Sequence, residues 1–366
     1  MPCYGVGIAL TDNAIASSNA ADVIDKLAPP YDSSASDEYN GYKSLSSFLW
    51  HLWTIVSGLG RLVPHDAEHP GQATIVEILV KLGKHDRGTI QIWAGDPLRL
   101  WDDLPLFAQR MVEISDSPAI DDDFEPLTEH AARHWRNQCA FMARCLDGEV
   151  AGWDDYALVA LSSALERDNW TSALHLRCEL LAATEWVIYS GPTLLSFAEQ
   201  NDHSKNSGDY GGGDGDGDGN SSVYNDDIPS GPLFSGPDGL SVQRWDFWRA
   251  RFTALLDQSK TLLEQKPHVD QGNEGGDVSL SQHMTGDTGN AMMTGPSVHD
   301  PRGDIATKEA RAYKEAPENF PVPAGTLVDE VCTAIMIAIE RMVAAEAVVA
   351  AMGDIKNMES ESEEGE

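Results

Sequence analysis

The chain has 366 residues, 42% hydrophobic and 23% charged, enough to bury a sizeable core in one large domain or two ordinary ones. Its 25 Lys and Arg face 59 Asp and Glu, a formal net charge of −34. A field of that sign repels nucleic-acid phosphates and anionic lipid surfaces, so neither is an expected partner, whereas basic proteins, cations and neutral ligands are compatible with it.

Little periodicity marks residues 1–43 beyond a short helical stretch from Ala20 to Leu27 that stops at Pro29-Pro30. From Ser44 the pattern turns helical: Leu45, Phe48, Leu49, Leu52, Trp53, Val56, Leu59 and Leu62 recur at three- and four-residue steps until Pro64. A second helix carries Ile75, Ile78, Leu79 and Leu82 and ends near Gly83. A third is expected to start at WDDLP, with Asp102 or Asp103 as cap, Pro105 in the first turn, and Phe107, Met111 and Ile114 facing inward. Pro126 to Leu146 predicts another helix, with Trp135, Cys139, Met142 and Leu146 on one stripe. Two more follow, Asp154 to Leu165 and Thr171 to Tyr189, the latter stopping at Gly191-Pro192. Sustained period-two alternation is missing throughout, so strands are not expected.

Composition then shifts to Gly, Asp, Ser and Asn, which cannot bury enough apolar surface to offset the entropy of ordering. The expectation is an all-α chain: a multi-helix array in a single domain, with long disordered inserts. In that division, 44–200 is the first part of the helical core and 201–240 a disordered Gly/Asp-rich insert. A core helix follows over 241–266, then a disordered polar insert over 267–325. The C-terminal core helix spans 326–352, with Val328, Val331, Cys332, Ile335, Met336, Ile339 and Met342 inward, and 353–366 is a solvated acidic tail. Glu340, Arg341 and Glu346 interrupt that last helix, so it reads as core and not as a bilayer span.

The five cysteines, Cys3, Cys139, Cys145, Cys178 and Cys332, are odd in number and form no CxxC, which suggests reduced, mostly buried thiols in an intracellular protein. The first twenty residues lack the basic region of a signal peptide, so cytoplasm or nucleus is the expected location.

GDGDGDGNSSVYN, residues 213–225, begins like a calcium loop: Asp214, Asp216 and Asp218 fill positions 1, 3 and 5, and Gly219 position 6. Position 12 is Asn225 in place of the bidentate Glu, and position 8 is Ser221, so a flexible acidic spacer is the better reading. HDAEH places His65, Asp66, Glu68 and His69 between Pro64 and Pro70, where a polar helix–helix connector is expected over a zinc site. His130 and His134 stand four apart on one helix without a third ligand in sequence, and read as surface histidines. GxSxG, Walker A and dinucleotide fingerprints are missing, so no catalytic, cofactor-binding or metal residue is assigned. Seven tryptophans, Trp50, Trp53, Trp101, Trp135, Trp186, Trp245 and Trp248, fall at helical spacing and are expected at helix–helix interfaces. The alternative is an aromatic pocket for an apolar ligand or a partner face.

The ordered succession LWHLWTIVSGLGRLVPHDAEHPGQATIVEILVKL, WDDLP, HWRNQCAFMARCL, YALVALSSALE, LLAATEWVIYSGPTLL and RWDFWRARFTALL resembles the domain of unknown function 3632 family of fungi, over residues 45 to 265. Trp101, Leu104 and Pro105 match one family motif, and Trp135, Asn137, Phe141, Ala143 and Leu146 another, where Asn137-Gln138-Cys139 departs mildly from the family pattern. The resemblance implies an all-helical intracellular fungal protein with no established activity or cofactor. The expected function is therefore that of a binding or scaffold protein, acting on a protein or a small apolar ligand through a groove between helices. The rivals are an enzyme of a fungal-specific pathway, with His130, His134, Asp102 and Asp103 as candidates by residue type, and, more weakly, a calcium-binding protein.

Overall fold

The computed structural model describes residues 17–31, 45–66, 69–90, 96–114, 127–168, 170, 172–206, 228–264 and 329–363. Among them nine helices and one minimal hairpin follow in order: α1 (Ser17–Leu27), α2 (Leu45–Leu62), α3 (Gly71–Leu82), β1 (Thr89–Ile90), β2 (Leu98–Arg99), α4 (Phe107–Ile114), α5 (Glu129–Asp147), α6 (Asp154–Leu165), α7 (Ala173–Asn206), α8 (Val242–Glu264) and α9 (Asp329–Glu363). The all-α architecture is the one the periodicity predicts. The hairpin is the departure, pairing Thr89 with Arg99 and Ile90 with Leu98, too short for period-two patterning to register.

Two long helices form the centre. In α5, residues 137 to 143, Cys145 and Leu146 are all buried, because Ala140, Phe141 and Ala143 are as apolar as the expected stripe of Cys139, Met142 and Leu146. Such a helix must be covered on all sides. Helices α2 and α3 cover one side, with α1 behind α3 and α4 behind α2, and α7 covers the other; α6, α8 and α9 pack around α7. Thus the α5–α7 pair joins an N-terminal half to a C-terminal half. Five of the seven tryptophans sit fully buried at these joints, while Trp50 and Trp135 are half-buried. Two of the buried N–H groups close long-range contacts in the N-terminal half: Trp53 donates to the Pro105 carbonyl at 2.8 Å and Trp101 to Asp25 Oδ1 at 2.7 Å.

Several local expectations are corrected. WDDLP does not open a helix. Leu104 and Leu106 take positive φ values of 42° and 70° around Pro105, and α4 begins only at Phe107. The Asp103 carboxylate accepts from the Arg99 N–H at 2.6 Å, tying down a turn instead of capping a helix. Left-handed leucines cost about 1–3 kcal/mol each. Burial of Leu104, Trp101 and Phe107, with the Trp53 hydrogen bond, offsets that strain.

Pro192 bends α7 without ending it: Ser190 leaves helical geometry (φ −135°, ψ 15°), and the helix resumes to Asn206. Proline lacks an N–H and its ring crowds the carbonyl four residues back, which produces the break. The Ser190 hydroxyl donates to the Trp186 carbonyl at 2.8 Å across the bend. The Gly/Asp-rich insert is accordingly narrower than 201–240, since 201–206 are helical and residues 228–241 pack with Phe234 and Leu240 buried. Likewise α9 runs through Glu363, beyond the expected end at 352. Its inward residues are Val331, Ala334, Ile335, Ala338, Met342, Ala345 and Val349, while Met336 is 47% exposed and Cys332 and Ile339 are half-buried.

One buried ion pair fastens α6, the 228–241 segment and α8. Glu166 and Arg244 are both 0% exposed and meet by two bonds, Nε–Oε1 at 2.7 Å and Nη2–Oε2 at 2.9 Å. Trp248 Nε1 and the Gly231 N–H fill the remaining carboxylate positions at 2.8 and 2.7 Å. A Cβ at Gly231 would lie 2.6 Å from Glu166 Cβ, so only glycine allows this approach.

Two variants test this packing. Glu166→Gln is expected to lower unfolding free energy by about 3–5 kcal/mol in urea titrations, because it leaves a buried guanidinium unpaired, and Glu166→Leu with Arg244→Met should recover part of the loss. Gly60→Ala places a Cβ 2.5 Å from the ring of fully buried Phe141. It should cost about 1–3 kcal/mol by overpacking the α2–α5 contact, read as a lowered melting temperature.

Candidate functional site

The sequence-highlighted residues separate into distinct local structures. His65 turns inward. Its backbone N–H and its Nδ1 both meet Asn137 Oδ1, at 3.2 and 2.9 Å. Since Oδ1 already accepts from a backbone N–H, it is an acceptor here and Nδ1 carries the ring proton. Nε2 faces the buried Glu185 carboxylate at 3.6 Å, beyond hydrogen-bond range. Glu185 is in turn held by Arg136 Nε at 2.6 Å. Both imidazole nitrogens thus point at protein groups. His69 instead pairs with Asp66 at 2.6 Å on the surface. The two histidines of HDAEH therefore serve two different contacts; Glu68 lies outside the described residues.

His130 and His134 stack with ring centroids 3.9 Å apart on the first turns of α5. Burial pushes the His134 imidazole below its usual range, and the neighbouring His130, Arg61 and Arg133 push it the same way. Asp102 and Asp103 both pair with Arg99 in their own turn. The contacts of these four residues are thus local: the aspartates pair with Arg99 within the turn, and the two histidine rings meet at a tilt of 59°. Among the described residues no group of three His, Cys, Asp or Glu side chains is arranged to hold a metal ion. The 213–225 run lies outside the described residues. Burial raises the thiols of Cys139, Cys145 and Cys178 far above the usual range, which keeps them protonated and poor as nucleophiles. No described helix is long and apolar enough to cross a membrane.

A concave feature of the described surface lies elsewhere, where both halves of the fold meet. A cleft of about 390 Å³ is lined by Ala73 and Val76 of α3, Arg144, Asp147 and Gly148 at the end of α5, Ile188 and Tyr189 of α7, and Arg341 of α9. Tyr189 sits one residue before the bend at Ser190, so the break in α7 shapes this wall. The Arg144 guanidinium lies 3.6 Å over the Tyr189 ring, close enough for a cation–π contact. Arg144 Nη2 and the Tyr189 hydroxyl both donate to the His65 carbonyl, at 3.2 and 2.8 Å. Asn137 holds the same stretch of backbone, accepting from the His65 N–H and donating through Nδ2 to the Arg61 carbonyl at 3.1 Å. Gln72 holds the same connector, donating to the carbonyls of Gly60, Val63 and Asn137.

The His65 carbonyl is therefore the shared anchor of two side chains that line the cleft, Arg144 and Tyr189. Sequence reading found His65 but missed Arg144, Tyr189 and Arg341, which lie far apart in sequence and belong to three helices. Asn137, within the HWRNQCAFMARCL stretch, was the nearest signal.

Stacking and burial predict how His134 titrates. Proton NMR should place it below the usual 6.5, and His130→Gln should raise it by removing a like charge. With a depressed folded value, its contribution to stability is present above the unfolded pKa of about 6.5 and is lost as pH falls through the folded value.

A family model described as Protein of unknown function (DUF3632) matches residues 53–252, more than half of the chain, and the chain belongs to that family. No curated protein and no solved structure matches it.

Proposed function

We propose, from the premise of membership in a family whose description assigns no activity, that this chain is a binding protein whose ligand site is the cleft between α3, α5, α7 and α9. One observation carries the reading. The cleft draws on both halves of the fold and on the two central helices, and two of its lining side chains, Arg144 and Tyr189, are already anchored on the His65 carbonyl. Concave sites at such junctions are where small molecules bind, and side chains that are already anchored lose less freedom when a ligand arrives. Among the described residues, both nitrogens of the neighbouring His65 face Asn137 and Glu185, and burial holds three thiols protonated.

A cleft-blocking variant tests this. Ala73 is exposed on the α3 wall, so Ala73→Trp fills the cleft without disturbing the core. Equilibrium dialysis against a small-molecule extract, read by mass spectrometry, should show a compound retained unchanged by the wild type and lost with Ala73→Trp. Equal retention by both proteins removes the cleft as the site, and conversion of the compound makes the protein an enzyme.

A further inference from the structure

We propose that the cleft recognises a small organic anion, bearing a carboxylate or phosphate, through the guanidinium groups of Arg144 and Arg341. The inference rests on the cleft being the binding site and names the chemistry it selects. Arg144 and Arg341 are the cations of the lining, and neither forms an ion pair with a described residue. In a chain with 59 acidic residues, this lining holds two guanidiniums against the single carboxylate of Asp147. The lining carboxylate, Asp147, accepts a hydrogen bond from the Thr193 hydroxyl at 3.1 Å. The remaining lining is neutral: Ala73, Val76, Gly148 and Ile188 offer carbon surface for the body of a ligand. Tyr189 adds no negative charge, because burial raises its phenol above the usual range even though Arg144 opposes this.

Arg144 is also held ready. Its plane lies 3.6 Å from the Tyr189 ring, Nη2 is anchored on the His65 carbonyl, and Nε is buried without a hydrogen-bond partner. A neutral carbonyl does not balance a guanidinium charge, so the site is complete only when an anion joins it. The planar fork of arginine matches the two oxygens of a carboxylate or phosphate, which a lysine cannot do. Arg341 is exposed on α9 and brings the second charge from the opposite half of the fold. The net charge of −34 does not forbid this. Salt screens charges beyond about 8–10 Å, so the adjacent guanidiniums dominate inside the cleft while the acidic surface discourages anions elsewhere.

Calorimetry on the full chain at low salt, with succinate, inorganic phosphate and uncharged succinamide as probes, decides the matter. Succinate or phosphate should bind saturably and succinamide should give no heat. Arg341→Glu and Arg144→Lys should each weaken the anion about tenfold or more, with thermal melts confirming that both fold. If Arg144→Lys fails to fold, Arg341→Glu, at an exposed position, carries the test alone. An absence of anion heat in folded wild type overturns the proposal, as does undiminished binding in Arg341→Glu. Retention of an uncharged compound that Ala73→Trp excludes also overturns it, and leaves the cleft as the binding site. Turnover of an anion that requires both arginines supports the anion while overturning the binding-only reading.

Discussion

The carboxylate of Glu166 accepts from a guanidinium, an indole and a backbone N–H at once, with no exposure to solvent. Ionised groups are removed from water only where such partners exist, since the desolvation cost of each amounts to several kcal/mol. This constraint organises the C-terminal half. It fixes where α6 ends, and it draws residues 228–241 under α8 through the carbonyls of Pro229 and Gly239, which accept from Arg244 at 3.2 and 3.0 Å. It also sets the rotation of α8 so that Trp245 and Trp248 face inward. With α8 fixed, Arg249 and Trp245 reach Glu346 of α9 at 2.6 and 3.3 Å, and α9 is seated along α7. The cleft wall bearing Arg341 is a downstream result of that seating.

A second polar assembly governs the other half of the cleft. Asn137, Gln72, Tyr189 and Arg144 all bind backbone groups between Gly60 and His65. Here the connector between α2 and α3 stays at the surface, with Pro64, His69 and Pro70 exposed, yet side chains of α5 and α7 tie its first residues down. The net charge of the whole chain says little about such a place. What a site attracts is set within a Debye length of its own groups, and those lining the cleft include Arg144, Arg341 and Asp147.

The helices were legible because apolar residues recur every three or four positions: Phe48, Leu49, Leu52, Trp53 and Val56 are all buried as their spacing requires. What was not legible depended on contacts between distant residues. Leu104 and Leu106 adopt left-handed backbone geometry that no local preference favours; burial against α2 imposes it. Pro192 reads as a stop because a local rule cannot know that α9 packs along α7. Arg244 and Arg251 look like the solvated side of an amphipathic helix and are buried instead. Burial even brings the Arg251 guanidinium down to about 10, an environment invisible in a residue count. The cleft was hidden for the same reason, since its lining comes from four helices.

The packing order of these helices carries a further meaning for the nascent chain. The most extensive helix–helix contact joins α7 to α9, and the bonds that tie α9 down span 101 positions to Trp245 and 194 to Arg136. A ribosome delivers residues in order, so the faces of α7 and α8 that α9 contacts emerge well before α9 is made. Until residue 349 or so has been synthesised, the growing protein presents a bare apolar flank in the crowded cell. That interval, set by topology and not by final stability, is when it is most exposed to aggregation and to capture by chaperones.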